Sequence, residues 1–474
     1  MSSTESGRRT FQTRLNDMLE QLREGIASGA YPNGTYLPPE KTLAKQYRLS
    51  NKTVRKGLER LIAEGLIEKI PRVGSLVTAP AIRKSAPPAA TLMMGCYSNY
   101  EKQLILSKLV DDFHEQYPSI RVEVVAFHSS TQFSDTLLPC LHNGLIDVFT
   151  VKDRHFREIA DAGYVSSLAE REGAPHQYSF LRDLFADGGV PYAQPFVFSP
   201  LVLAYNRRHF LEAGLTEPDA GWTWEDAVAN AAKLSVPGQR YGLHFQVQLD
   251  ERWPVFLLQS GDRGETGGAD DRVGEAWLEG IRLCKTIIRN PAIFPDPLYG
   301  SDNDVGTLFL QERTSMIMTG YESLNRFASS GLDYDISSVP YIRAPRTLVS
   351  ATGIAVNKRS KHRAEAECFA DYLCSPRAQR LVREHTLSIP ALKPAAEAIV
   401  DPEDETVNRP SRFQLYRDII PSFRKFADLR LPSGAIRPLH ETLKDYWTDL
   451  IDERTLCEKI EAIASAPSAR HVHS

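Results

Sequence analysis

The chain has 474 residues, too many for one compact core, and predicts about three structural units at roughly 100–200 residues each. Its 42% hydrophobic and 24% charged residues are typical of a globular protein and exclude a fibrous or disordered one. No apolar run reaches the roughly 18 residues of a membrane helix, and the polar first ten residues show no secretory signal. We therefore expect a cytoplasmic protein without a membrane partner, and six scattered cysteines without a CxxC pair fit a reducing compartment.

Charge is distributed unevenly along the chain. Residues 1–84 hold 15 Lys/Arg and 8 Asp/Glu, whereas the other 390 residues hold 41 and 52. Basic modules attract polyanions and acidic modules repel them, so this division favours a small nucleic-acid-binding module joined to a large acidic one. Chance segregation of charge is the alternative.

The basic segment has the pattern of three helices followed by a hairpin. An apolar stripe from Phe11 to Ile26 predicts the first helix, and Pro38 and Pro39 open a short second one. Ser50 is a good N-cap for a third helix, whose inner face is Val54, Leu58, Leu61 and Ile62. Two short apolar strands follow, and the turn between them would form a wing with Arg72 near its tip.

Polar and basic side chains crowd the first two turns of the third helix. They are Asn51, Lys52, Thr53, Arg55 and Lys56. In a major groove, Arg and Lys can reach guanine edges and Asn can reach adenine, while the others hold phosphates. The alternative is a structural three-helix module whose basic face is solvated.

Residues 11–78 resemble the winged-helix domain of the GntR family of bacterial transcription regulators, above all in LPPEKTLAKQYRLSNKTVRKGLERLIAEGLIEKI. The resemblance implies binding to double-stranded operator DNA. The family's contact positions fall on Glu40, Lys41, Ser50, Asn51, Thr53, Arg55, Arg72 and Gly74. Asn51 stands where the family usually has Arg, and the wing lacks the usual basic pattern, so the operator sequence does not follow from the resemblance. A DNA operator with two half-sites about one helical turn apart needs two winged helices, which predicts a homodimer.

Residues 79–91 contain three prolines and no apolar periodicity, which predicts a linker, and residues 92–474 then read as an α/β domain. Short apolar strands alternate with amphipathic helices, which predicts a mainly parallel sheet covered by helices. Ligands bind at the carboxyl ends of such strands, here near Tyr97–Asn99 and Val151–Asp153. A turn is expected at residues 191–196, and the next strand at 201–205.

Residues 92–474 also resemble the extracellular solute-binding proteins of carbohydrate ABC importers. The likeness rests on the order of fragments such as IDVFTVKDRHFREIADAGYVSSL, LVLAYNRRHFLEAGL and LFLQERTSMIMTGYESL. It implies a two-lobed periplasmic-binding-protein-like fold of the maltose-binding-protein class, with a sugar between the lobes. The first lobe would take about residues 92–195 and 337–374, and the second about 200–333 and 376–474.

The resemblance also implies ligand-binding positions around the cleft. They are Ser98, Asn99, Lys152, Arg154, Ser199, Gln248, Asp250, Trp253, Tyr321, Glu322 and Ser350. Amides, hydroxyls and carboxylates suit sugar hydroxyls, and aromatic rings cover the sugar's C–H face. Tyr321 occupies a position where the family often has Trp. For Trp253 and Tyr321, a place in the core is the alternative.

No catalytic motif appears, and Cys and His lack zinc spacing, so we expect neither an enzyme nor a cofactor or metal. The expected function is a transcription regulator that senses a sugar or oligosaccharide. One alternative is the pyridoxal-phosphate aminotransferase-like domain that also occurs behind GntR winged helices, although no suitable lysine is found. A scaffold that has lost its ligand is another. A binding protein serving an importer would need export, which the DNA-binding segment argues against.

Overall fold

The computed structural model describes residues 11–27, 30–71, 73–78, 90–98, 100, 104–127, 133–173, 175–260, 273–295, 302–400 and 407–466. The chain divides into two compact units, residues 1–90 with 117–120, and residues 91–116 with 121–474. Within the described ranges, no helix combines the length and the apolar character needed to cross a bilayer.

The first unit consists of three helices and a hairpin, as the apolar spacing predicts. Its elements are α1 (Phe11–Ala27), α2 (Glu40–Tyr47), α3 (Asn51–Ala63), β1 (Ile67–Ile70) and β2 (Gly74–Val77). The strands pair antiparallel, Ile67 with Val77. One apolar core joins all five elements and includes Met18, Leu43 and Leu61.

Local chemistry fixes where α3 begins and how closely it packs. The Ser50 side chain caps the helix by accepting a hydrogen bond from the Thr53 amide at 3.2 Å. Gly57 faces α1 at close range, since a Cβ there would lie 2.8 Å from Met18 Cε. The missing side chain therefore lets α3 lie against α1 with its polar face outward.

The second unit is an α/β structure built on one mixed sheet. The strands of this unit are β3 (Ala90–Tyr97), β4 (Ile120–Phe127), β5 (Val148–Lys152), β6 (Ala186–Asp187), β7 (Val190–Pro191), β8 (Ala193–Asn206), β9 (Tyr241–His244), β10 (Thr314–Gly320), β11 (Tyr334–Ser337), β12 (Thr347–Val356), β13 (Ile389–Pro390) and β14 (Phe423–Arg424). β6 and β7 pair only with each other among the described strands, and the others form the mixed sheet. Its helices are α4 (Leu106–Gln116), α5 (Phe133–His142), α6 (Asp153–Asp161), α7 (Arg207–Glu212), α8 (Trp224–Leu234), α9 (Pro254–Ser260), α10 (Val273–Ile288), α11 (Asp302–Leu310), α12 (Tyr321–Leu324), α13 (Arg363–Leu373), α14 (Pro376–His385), α15 (Lys393–Ala396), α16 (Leu415–Asp418), α17 (Ile436–Trp447) and α18 (Glu453–Ala464).

The sheet order is β4-β3-β5-β12-β8-β10-β9, and the prediction of a mainly parallel sheet was wrong at its centre. β3 pairs parallel with β5, and β9 with β10, but β12 runs antiparallel to β5 and β8, and β8 runs antiparallel to β10. The turn expected at residues 191–196 is largely the start of β8, which continues unbroken to Asn206. Pro195 is tolerated there because the β8–β12 register shifts beside it, between Thr352 and Gly353.

β8 and β12 are shared by two lobes. The first half of β8 pairs with β12, which also pairs with β5, whereas the second half of β8 pairs with β10 and β11. We call the side with β3, β4, β5 and α6 the first lobe. The second lobe holds β9, β10, β11 and a core formed with α8–α10, α17 and α18 that includes Trp224, Trp277 and Leu443.

α14 lies on the first lobe, although the resemblance assigned residues from 376 onward to the second. Its Arg377 donates to Asp112 of α4, with Nη2 to Oδ1 at 2.6 Å. Tyr372 of α13 donates to the same carboxylate at 2.6 Å. The Arg377 guanidinium lowers the pKa of Asp112 to about 2, against the opposing effect of burial.

The Asp112 cluster gives a prediction for stability against pH. A carboxylate with a lowered pKa adds stability above its unfolded pKa and loses it as the pH falls toward the folded value. We expect Asp112→Asn to lower the unfolding free energy of the second unit by about 1 kcal/mol at pH 7, after discounting for the exposed Arg377. The difference should shrink from pH 4 toward pH 2 in calorimetry. Glu458→Gln, in the exposed Arg454 pair, is the control and should have little effect. A difference that persisted at pH 2 would contradict this assignment.

Candidate functional site

The outward face of α3 presents the side chains that the sequence assigned to DNA. Asn51, Lys52, Arg55 and Lys56 are all exposed. Thr53 is half-buried because its hydroxyl lies 2.7 Å from the Ser50 hydroxyl at the helix start. The described face is therefore polar and basic, opposite the buried Val54 and Leu58.

Glu40 of α2 holds two basic side chains of this surface in place. Arg55 donates to Glu40 Oε2 at 3.0 Å, and Lys69 of β1 lies 3.3 Å from Oε1. The hydrogen bond from Arg55 lowers the Glu40 pKa, with a smaller contribution from Lys69. Glu40 therefore fixes the orientation of the Arg55 guanidinium. Sequence reasoning missed Lys69, which lies on a strand with no motif of its own.

The structure describes two of the three remaining predicted DNA positions. Lys41 is exposed in the first turn of α2. Gly74 begins β2 with φ at 156°, and Tyr36 lies 3.4 Å from where its Cβ would stand. Arg72 lies outside the described residues.

A second set of predicted residues meets between the two lobes of the second unit. Lys152 ends β5 on the first lobe and is buried. Its Nζ donates to Glu251 Oε1 at 2.9 Å and lies 3.5 Å from Glu322 Oε1, both from the second lobe. Burial disfavours the ammonium, but these two carboxylates hold the Lys152 pKa well above its ordinary value. In turn, burial opposes ionisation of Glu251, and Lys152 with Arg154 holds its pKa well below the usual range.

Arg154, in the first turn of α6, makes the second connection across the cleft. Its Nη1 lies 3.0 Å from Asp250 Oδ2, and the other oxygen of Asp250 lies 2.8 Å from His440 Nδ1. We call Lys152, Arg154, Asp250, Glu251 and Glu322 the cleft cluster. Its charges join the first lobe to the second at two points.

A buried layer on the first lobe supports these cations. The Lys152 amide donates to Tyr97 Oη at 3.1 Å, and that oxygen lies 2.6 Å from His155 Nδ1. Burial and the neighbouring Arg154 and Lys152 charges hold the His155 pKa well below its ordinary value, so its ring is neutral at pH 7. Asp153 accepts from the Ala351 amide at 3.1 Å, and burial raises its pKa to about 6.

Two serines border the cluster on the shared strands. Ser199 of β8 accepts a hydrogen bond from the Glu322 amide at 3.2 Å, and Ser350 of β12 donates to the Ser199 carbonyl at 3.4 Å. Ser98 is exposed at the end of β3. Asn99 lies outside the described residues.

Three of the predicted ligand residues do not reach the cleft surface. Trp253 is 1% exposed and packs on His440 at 5.4 Å between centroids. Tyr321 is fully buried and donates to the Phe413 carbonyl at 2.9 Å. Gln248 lines a separate cavity of about 560 Å³ with Phe294 and Trp447. Neither aromatic ring therefore offers a face for stacking on a ligand.

Sequence reasoning missed several participants because no local signal marks them. Glu251 follows the predicted Asp250, but adjacency does not say that it faces Lys152. His440 reaches Asp250 from 190 positions along the chain. Its Nε2 and Trp253 Nε1 are buried without a hydrogen-bond partner among the described residues, which is uncommon for buried polar atoms.

Two lobes that share long strands, with charged side chains converging between them, define a two-lobed solute-binding fold, here preceded by a winged helix. The family model described as bacterial extracellular solute-binding protein matches residues 97–380, and the model described as bacterial regulatory proteins, gntR family, matches residues 16–77. The chain belongs to the bacterial extracellular solute-binding protein family and carries a GntR regulatory domain.

Known proteins resemble the two parts separately. The galactooligosaccharide-binding protein of Bacillus subtilis is 20% identical over 348 residues, 70% of this chain and 80% of that protein. The ABC substrate-binding protein Lmo0181 of Listeria monocytogenes, solved in complex with cycloalternan, has a TM-score of 0.65 at 19% identity, covering 79% of this chain and 97% of that one. The uncharacterized HTH-type transcriptional regulator YdfD of Bacillus subtilis is 32% identical over 77 residues, 16% of each chain.

The fold decides one alternative. Solved structures of the maltose-binding class match the residues that an aminotransferase-like domain would have to occupy, so the second unit is not such a domain. Among the described residues, no group of three His, Cys, Asp or Glu side chains is arranged to hold a metal ion.

The cleft cluster predicts a stability effect that surface pairs lack. Glu251→Gln leaves the buried Lys152 with only the more distant Glu322, so we expect the unfolding free energy of the second unit to fall by about 2–3 kcal/mol in denaturant titration. Glu279→Gln, in an exposed pair with Arg343, is the control and should change it by much less. Equal effects of the two variants would show that Lys152 does not depend on Glu251.

Proposed function

We propose that this protein is a cytoplasmic transcription regulator whose winged helix binds operator DNA and whose two-lobed module senses a sugar or oligosaccharide. The observation that carries the proposal is the joining, in one chain, of an exposed basic recognition face on α3 and a cleft where polar residues of two lobes converge. The proposal assigns no catalytic step to the chain.

The DNA-binding part is supported by the chemistry of the α3 face. Exposed Lys52, Arg55 and Lys56 supply positive charge for phosphates and guanine edges, and Asn51 supplies an amide for adenine. Glu40 keeps the Arg55 guanidinium in a defined orientation. Operators of this kind have two half-sites about one helical turn apart, so the proposed active form is a homodimer.

The sensing part is supported by the way the cleft cluster joins the lobes. Lys152 and Arg154 contact carboxylates of the second lobe, so a ligand entering between the lobes must compete for these charged groups. Exchange of ion pairs for ligand contacts changes the lobe angle that is favoured. In the proposed mechanism, that change shifts the homodimer between geometries with different operator affinity.

Arg55 tests the DNA-binding part. We expect Arg55→Ala to weaken binding to a duplex selected from a random pool by about 5- to 150-fold, because one guanidinium contact to a base edge is lost. Arg60→Ala, exposed in the last turn of the same helix, is the matched control and should bind nearly as the wild type does. Equal gel-shift affinities for the two variants would remove the N-terminal half of α3 from the interface.

A saccharide panel tests the sensing part. With neutral and acidic mono-, di- and oligosaccharides, we expect at least one compound to raise the Tm of the full-length protein and to change operator affinity about 5- to 150-fold. Asp250→Asn should weaken that response, whereas Asp445→Asn, on the outer surface of the second lobe, should not. A panel without any shift would reject sugar sensing.

A further inference from the structure

One cavity of the second unit lies between the lobes, beside the cleft cluster. It has a volume of about 470 Å³, within the range of small-molecule sites. The first lobe contributes residues of α6, including Arg154, Arg157 and Asp161. The second lobe contributes the segment from Lys425 to Ile436. We call this space the basic cavity.

Positive charge dominates the lining of the basic cavity. Four cationic side chains line it, Arg154, Arg157, Lys425 and Arg430, against two carboxylates, Asp153 and Asp161. The second unit as a whole has more acidic than basic residues, so the positive charge of this lining differs from the average of the unit. Its cations come from both lobes, and like charges on opposite walls oppose closure unless an anion lies between them.

Two of these cations are unpaired within the part of the chain that the structure describes. Arg157 and Lys425 form no ion pair with a described residue, whereas Arg154 is held by Asp250. The Arg154 Nε is also buried without a hydrogen-bond partner in the described part of the chain. The side chains of Arg157 and Lys425 and the Nε of Arg154 can therefore donate hydrogen bonds to an anionic ligand in the cavity.

The second-lobe wall is a compact turn that presents both charge and apolar surface. A 3₁₀ turn, Phe426–Leu429, follows Lys425, whose amide donates to Asp428 at 2.7 Å. Arg430 then adopts a left-handed φ of 52°, which is uncommon for a side-chain-bearing residue. Phe426 also lines the cavity, and Leu431 and Pro432 add to its apolar wall.

We infer that the basic cavity takes a carbohydrate that carries an acid group, either the carboxylate of a uronic acid or the phosphate of a sugar ester. Arg157 and Lys425 bind the anion from opposite lobes, and the apolar side chains beside Phe426 pack against the sugar's C–H face. The anion bridges the cations and draws the lobes together. This inference rests on the proposed sensing function and specifies its ligand.

The test is calorimetric titration of the full-length protein with three matched probes: a galacturonate disaccharide, a hexose 6-phosphate and the corresponding neutral disaccharide. We expect one acidic probe to bind at least tenfold more tightly than the neutral one and to weaken as salt rises. The two acidic arms distinguish a carboxylate from a phosphate source. Arg157→Gln and Lys425→Gln should each weaken binding of the acidic probe about 10- to 100-fold.

The controls are Arg313→Gln and Lys361→Gln, which neutralise exposed cations away from the basic cavity and should leave affinity unchanged. Tight binding of the neutral disaccharide that Arg157→Gln and Lys425→Gln leave intact would overturn this inference while upholding sugar sensing. Failure of all three probes, together with a silent saccharide panel, would reject both. An acidic probe whose affinity falls equally in the control variants reflects nonspecific charge attraction and would also overturn the inference.

Discussion

A buried ammonium must be paired, and this requirement at Lys152 organises the second unit. On the first lobe, the Lys152 amide donates to Tyr97 Oη, which in turn contacts His155. From the second lobe, Glu251 and Glu322 neutralise the Lys152 ammonium. Removing a charge from water costs several kcal/mol unless a partner and hydrogen bonds compensate it. The position of one lobe relative to the other within this unit is therefore tied to a small set of charges.

The two parts of the chain solve different electrostatic problems. On α3, exposed cations remain in water, and the carboxylate of Glu40 orients Arg55 without burying it. Between the lobes, cations and carboxylates are largely withdrawn from water and depend on one another. The exposed arrangement on α3 suits a partner of dense negative charge. The buried arrangement between the lobes suits a small partner that a few fixed polar groups recognise.

Much of the fold was predictable because its signals are local. The apolar spacing of Val54, Leu58 and Leu61 and the cap at Ser50 predict α3 directly, and the structure confirms both. The family resemblance predicted that Lys152, Arg154 and Asp250 lie in one cleft, which the hydrophobic periodicity of the sequence could not show. The antiparallel course of β8 and β12 was missed, because strand direction depends on which strands become neighbours.

The candidate site was predictable in part, for a physical reason. Aromatic residues serve equally in a core and on a ligand, so sequence type did not show that Trp253 and Tyr321 are buried. Lys425 and Arg430 lie in a short turn without periodicity, and only folding brings them opposite Arg157.

The long strands shared by the two lobes have a mechanical consequence. β8 and β12 pass through both lobes and are hydrogen-bonded to each other. This connection between the lobes is therefore a pair of strands rather than flexible loops. Any reorientation of the lobes must therefore twist this paired ribbon around the point where β8 changes its partner from β12 to β10, at Pro200 and Leu201, and the twisted ribbon stores elastic energy.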